Sequence, residues 1–156
     1  MWLSARPRYA VVDRYRGRVS TSSSYAGQRL GRPPDGPGAV AGWGRRILAL
    51  FVDWAASLLV AAGITGGASM SSQGWEAWVP LLVFLVEASV LTALIGGSFG
   101  QVLTRLAVVH LDNRSVSLLA ALLRTALICL VVPPLIYNPD RRGLHDMVTH
   151  TVTVHR

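Results

Sequence analysis

A chain of 156 residues is long enough for one domain, but with 51% hydrophobic and only 15% charged residues it is too apolar for an ordinary soluble one. Its mean hydropathy of +0.41 points to lipid, because the apolar residues gather in runs about twenty residues long. The net charge of +7 could suggest nucleic acid, yet nine of the fifteen Arg lie at or before Arg46, ahead of the first apolar run, which reads instead as membrane orientation and an arm near anionic lipid.

Residues 1–38 mix Arg, Ser, Pro and Gly without helical or strand periodicity, and a disordered basic arm is expected there. No apolar stretch precedes Ile47, so no cleaved signal peptide is expected and insertion falls to the first membrane helix. Residues 47–66 hold one charge, Asp53, and at about 1.5 Å per residue they match a hydrocarbon core of roughly 30 Å. Residues 67–77 carry no basic side chain, and Trp75 and Trp78 sit where an interfacial aromatic belt belongs, so this loop is expected to face outward. A second crossing follows at 78–96, with Glu87 near its middle.

Gly97, Ser98, Gly100 and Gln101 lie in the returning loop, and Ser98 and Gln101 have the spacing of a capping box that opens a short interfacial helix, at the cost of Gly100. Leu106 to Leu111 reads as a strand, Asp112-Asn113 as a turn, and Ser115 or Ser117 as a helix cap. The third apolar run, 118–137, is broken by Pro133-Pro134. A full third crossing would leave Arg141, Arg142 and Arg156 outside, against the positive-inside tendency, whereas a re-entrant bend at the prolines returns the tail to the cytoplasm. Met147 to His155 alternates, with Val148, His150, Val152 and Val154 on one face and Thr149, Thr151, Thr153 and His155 on the other. A lone strand does not persist, so this one is expected to pair with Leu106–Leu111 on the cytoplasmic side. The expected fold class is therefore membrane all-α, with three embedded segments, the third Pro-broken, in a domain spanning 39–156 that carries a small cytoplasmic β pairing.

Asp53, Glu87 and Arg124 stand out because an ionisable group at a membrane helix centre costs about 2.5–3.5 kcal/mol on insertion scales. Asp53 and Arg124 each lie six residues into their runs, so both are expected about 9 Å deep, where they can pair. Such a pair fits either a fixed helix register or a part in moving an ion or solute. Arg46 is about 10 Å from Asp53 along the helix axis and is expected at headgroups or at the cytoplasmic end of the bundle. Asp53 continues into Ser57, with Ala49 and Ala56 nearby, as a small and polar stripe for helix packing. Glu87, with no cation at its depth, fits a protonatable carboxyl or a neutral packing residue near Ser89 or Thr92.

The single cysteine, Cys129, excludes an intramolecular disulfide and a cysteine metal cluster. His145, Asp146, His150 and His155 lack metal-site spacing, and no phosphate loop, nucleophile elbow or His-Glu-x-x-His helix is present, so neither a cofactor nor an enzyme activity is expected.

Three stretches resemble the RDD family, named for one Arg and two Asp. Gly44 to Trp54 is similar to its first-helix signature, Gly96 to Gln101 to its middle loop, and Arg142 to Asp146 to its C-terminal motif, with an actinobacterial-type lead-in at Leu30-Gly31 and Gly36-Pro37-Gly38. The resemblance covers about residues 25–156 and assigns the name-giving residues to Arg46, Asp53 and Asp146, with Arg124 matching a further frequent Arg. It departs at His150, where the family usually has Gly before the Thr that opens the last strand. It implies a multi-pass protein of the cytoplasmic membrane with its N-terminus in the cytoplasm, and transport, including cation/proton exchange, is suggested for some members. Three segments do not readily enclose a pathway, so transport would need a homo-oligomer or a protein partner. The other expectation is a non-catalytic accessory or assembly protein that docks a partner on its cytoplasmic face.

Overall fold

The computed structural model describes residues 25–71, 73–112, 114–130 and 135–156. Most of the expected basic arm (1–24), Asn113 of the expected turn and the Pro133-Pro134 break lie outside them.

Helix α1 runs Trp43–Thr65, four residues further N-terminal than the hydrophobic run, and Gly66 ends it in the left-handed conformation. A short turn of helix, α2 (Ala68–Ser71), and a 3-10 turn, Trp75–Trp78, lead into α3, Val79–Ile95. On α1 the buried residues are Ala49, Asp53, Ser57 and Ala61, one every fourth position and hence one face. Phe51 (69% exposed) and Leu59 (72%) point away from the protein. The same inversion holds on α3 from Val86 onward, where Ala88, Ser89 and Thr92 are buried while Val86 and Leu94 are exposed; its earlier turns bury Val79 and Phe84. A water-soluble helix hides its large apolar residues; one that packs through small and polar residues and shows Leu and Phe outward is built for lipid. Trp43–Thr65 and Trp75–Ile95 are both long and apolar enough to cross a membrane.

Gly96 turns the chain back at the end of α3 with φ 74°, a conformation that costs glycine little. Helix α4, Phe99–Leu103, follows at once, and strand β1, Leu106–His110, leaves from it. Helix α5, Leu118–Cys129, is capped by the Ser117 side chain, which accepts from Ala120 N–H. Within the expected third segment the described helix is Leu118–Cys129, whose twelve residues reach only about 18 Å, short of a bilayer core, and it ends ahead of the break expected at Pro133-Pro134.

Helix α6, Leu144–Val148, and strand β2, Thr151–His155, complete the chain. The alternation expected from Met147 therefore becomes a strand only at Thr151. His150 makes the transition with φ 53°, a left-handed conformation at the position where the family resemblance implies glycine. β2 pairs antiparallel with β1, Leu106 opposite His155 and His110 opposite Thr151.

Two strands alone are marginal, and β2 gains a second neighbour: Ala41 N–H donates to Thr153 O and His155 N–H to Ala39 O, with Val40 bridged to Val154. Val40, Val152 and Val154 form a small apolar core. Residues 25–38, read as part of the arm, lie against this same end of the molecule: Gln28–Leu30 forms a 3-10 turn and Gly38 N–H donates to His155 O. The sheet sits at the end of the bundle where α1 begins and α3 finishes, tied there by Val108 N–H to Gly96 O at 2.7 Å. Among the three longest helices, α3 is central and packs against both α1 and α5.

Candidate functional site

The ionisable residues of the helices fall into two clusters. In the first, helix α4 presents the four backbone N–H groups that every helix start leaves without partners. Ser98 N–H donates to Gln101 Oε1 at 3.1 Å, and Gln101 N–H donates to Ser98 Oγ at 3.4 Å, which is the capping box expected from the sequence. Phe99 N–H donates to Glu87 Oε1 at 2.7 Å, and Gly100 N–H donates to Asp53 Oδ1. Ser98 Oγ donates to Asp53 Oδ2 at 2.6 Å. Two carboxylates from two transmembrane-length helices thus grip one helix N-terminus, where the helix dipole favours negative charge. Gly100 is what lets α4 come so close, since a Cβ there would run into the Ala49 carbonyl oxygen and stand 2.9 Å from Asp53 Oδ1.

The second cluster centres on Asp146, whose side chain is fully buried. Arg46 Nη1 reaches its Oδ2 at 3.0 Å and Arg124 Nε its Oδ1 at 2.9 Å. Arg124 Nη2 donates to Thr153 Oγ1 at 3.1 Å and Arg46 Nη2 to the Thr153 carbonyl at 3.2 Å, so both guanidinium groups also hold strand β2. Arg142 donates from Nε to Thr151 O at 2.9 Å and from Nη2 to Asp146 O at 3.1 Å. One carboxylate therefore clasps α1, α5, α6 and β2 together. Burial by itself would raise the Asp146 carboxyl, but the charges of Arg124, His145 and Arg46 and the Arg124 hydrogen bond outweigh it and hold the group below its ordinary value. His145, beside it, is pushed down to about 4, chiefly by burial.

This geometry corrects one expectation. Asp53 does not pair with Arg124: both oxygens of Asp53 are taken by α4, and Arg124 is bound to Asp146 and Thr153. The depth argument missed this because α4 and α6, which lie outside the long helices, supply each residue with a partner of its own. Arg46 lies at the end of the bundle, as expected, bonded to Asp146 and not to Asp53. Glu87 bonds neither Ser89 nor Thr92; its Oε2 is buried without a partner among the described residues. The reading of single residues also missed Thr153 and Arg142, although Thr149, Thr151 and Thr153 had been placed on one strand face and Arg142 inside the C-terminal motif.

A cavity of about 90 Å³ separates the clusters, walled by Arg46, Asp53, Ser98, Gln101, Arg124 and His145 and by apolar residues that include Leu50, Phe84 and Ile128. Arg46 Nε and His145 Nδ1 are buried without a hydrogen-bond partner among the described residues. The space admits several waters, which would satisfy them. Among the described residues no group of three or more His, Cys, Asp or Glu is placed to hold a metal ion.

Two lipid-facing helices, a short third helix and a terminal strand locked by a buried Arg–Asp clasp define a small, mostly helical membrane-associated protein. The chain belongs to the RDD family, whose match spans residues 40–150. No curated protein and no solved structure matches it.

Proposed function

We propose that this RDD protein is a multi-pass protein of the cytoplasmic membrane whose inter-cluster cavity takes part in moving a proton or small cation. The end that carries Arg45, Arg105, Arg141 and Arg156 would face the cytoplasm, and the loop of residues 67–77, which has no basic residue, would face outward. The observation that carries the reading is a largely apolar cavity with a few charged groups on its walls, Arg46, Asp53 and Arg124 among them, bordered by α4, whose first turn is held by two titratable carboxylates. A protonated carboxyl is a poorer acceptor for an amide than a carboxylate, so proton uptake by Glu87 or Asp53 would loosen α4 and open that border. The cavity is too small to be a continuous pathway, and a second copy or a partner protein would supply the rest.

The test is reconstitution into liposomes with a pH-sensitive dye and imposed cation gradients, comparing wild type with Glu87→Gln, which keeps an acceptor for Phe99 N–H but cannot titrate. Wild-type flux reduced at least tenfold in a folded Glu87→Gln variant supports the proposal. Absence of any proton or cation flux from the wild type discards it. The second reading, a non-catalytic accessory or assembly protein, then stands. It is favoured by the fact that Asp53, Glu87 and Arg124 each hold a structural element in place.

A further inference from the structure

Adjacent arginines in this chain divide their work. Arg46 and Arg142 turn inward to Asp146 and its backbone, while their neighbours Arg45 and Arg141 line a separate groove of about 500 Å³ on the sheet end of the molecule. Arg105 and Arg156 line it as well, and among the described residues Asp35 is the one acidic side chain in its walls. Four arginines from four parts of the chain therefore line one concave surface. None of them belongs to the clasp around Asp146.

The groove is built rather than incidental. Arg156 is fixed by its Nε to Leu106 O at 3.0 Å and its Nη2 to Ile95 O at 2.6 Å, so it caps the last turn of α3. Its backbone N–H donates to Arg105 O at 2.9 Å, which joins two of the four cationic positions directly. Arg45 Nη1 lies 3.4 Å from His155 Nδ1, where the guanidinium donates to a neutral imidazole and is held at the groove wall. Arg105 and Arg141 both have φ 56°, a left-handed conformation that long side chains rarely adopt. Four arginines lining one groove with a single acidic neighbour, two of them on disfavoured backbone, suit an anion.

The position says which anion. Ile95 ends α3 and Arg45 lies in the first turn of α1, so the groove opens at the level where both lipid-facing helices leave the hydrocarbon. Phosphodiester groups of the bilayer lie at that level, and the guanidinium fork matches two phosphate oxygens at once. We propose that the groove formed by Arg45, Arg105, Arg141 and Arg156 is a binding site for the phosphate of an anionic phospholipid headgroup.

The experiment uses the full chain purified in a neutral detergent, titrated separately with dioctanoyl phosphatidylglycerol, dioctanoyl phosphatidylcholine and inorganic phosphate. Binding is read by native mass spectrometry and by the shift in Tm. The variants are Arg105→Gly with Arg141→Gly, which remove two guanidinium groups while relieving the left-handed backbone, and Arg114→Gln, a surface control whose side chain pairs with Asp112 outside the groove. Phosphatidylglycerol is expected to bind the wild type and the Arg114→Gln control alike, to bind the double glycine variant at least tenfold more weakly, and to outcompete phosphatidylcholine. The unliganded Tm of the double variant is expected to be unchanged or higher, which separates lost binding from lost folding. Equal binding of phosphatidylcholine, or unchanged phosphatidylglycerol binding in the double variant, overturns the proposal. Binding of inorganic phosphate without phosphatidylglycerol would make this a free-anion site and overturn the assignment to lipid.

Discussion

Asp146 joins α1, α5, α6 and β2 through one buried carboxylate. Its two oxygens face Arg46 and Arg124, and removing their charge leaves two guanidinium groups buried and uncompensated. Breaking one side of a buried ion pair costs about 3–5 kcal/mol, a large part of the stability of a small domain. Asp146→Asn is therefore expected to lower Tm sharply in detergent and to reduce the folded fraction recovered from membranes; a Tm within a degree or two of wild type would contradict the clasp. His145 adds a pH dependence of definite sign. Unfolded, its imidazole takes a proton near 6.5; folded, burial delays this to about 4. The stability this contributes is full above 6.5 and is lost as the pH falls toward 4, by on the order of 3 kcal/mol at most. Asp146, held below its usual 3.8, keeps its contribution across that window and loses it only in stronger acid. Thermal unfolding at pH 7, 6 and 5 is expected to show a falling Tm for wild type and a shallower slope for His145→Gln.

At the scale of elements, α4 is the piece that explains the intramembrane carboxylates. With five residues it has no stability of its own, and it forms because each amide of its first turn finds an acceptor in Gln101, Glu87, Asp53 or Ser98. That requires the helix to lie directly against α1. Gly100→Ala is accordingly expected to destabilise by about 1–3 kcal/mol, because the added methyl meets Ala49 backbone and the Asp53 carboxylate, neither of which can yield cheaply. Gly63→Ala, on α1 with open space around it, is the matched control and is expected to cost nothing. Comparing the Tm of the two variants checks the close approach itself.

For the whole molecule, two lipid-facing helices bring the start of α1, the end of α3 and the sheet to one end. A reporter fused after Arg156 is expected to show cytoplasmic activity, and one inserted at Gln73 to show activity on the opposite side. Identical signals from both positions would break this topology. The sequence by itself determined the membrane class, the two long helices, the capping box and the partners in the sheet, because each is written locally as hydrophobic run length, residue spacing or strand alternation. It also marked Asp53, Glu87 and Arg124 as costly residues needing a reason, while Arg46 and Asp146 stood out only through the family resemblance. Only the tertiary structure decided which partner each one takes. The bonds from Asp53 to Gly100 and from Arg124 to Asp146 depend on how far α4 and α6 fold back against the helices, and that distance is set by packing between segments far apart in the chain, which periodicity and depth along a single helix do not encode.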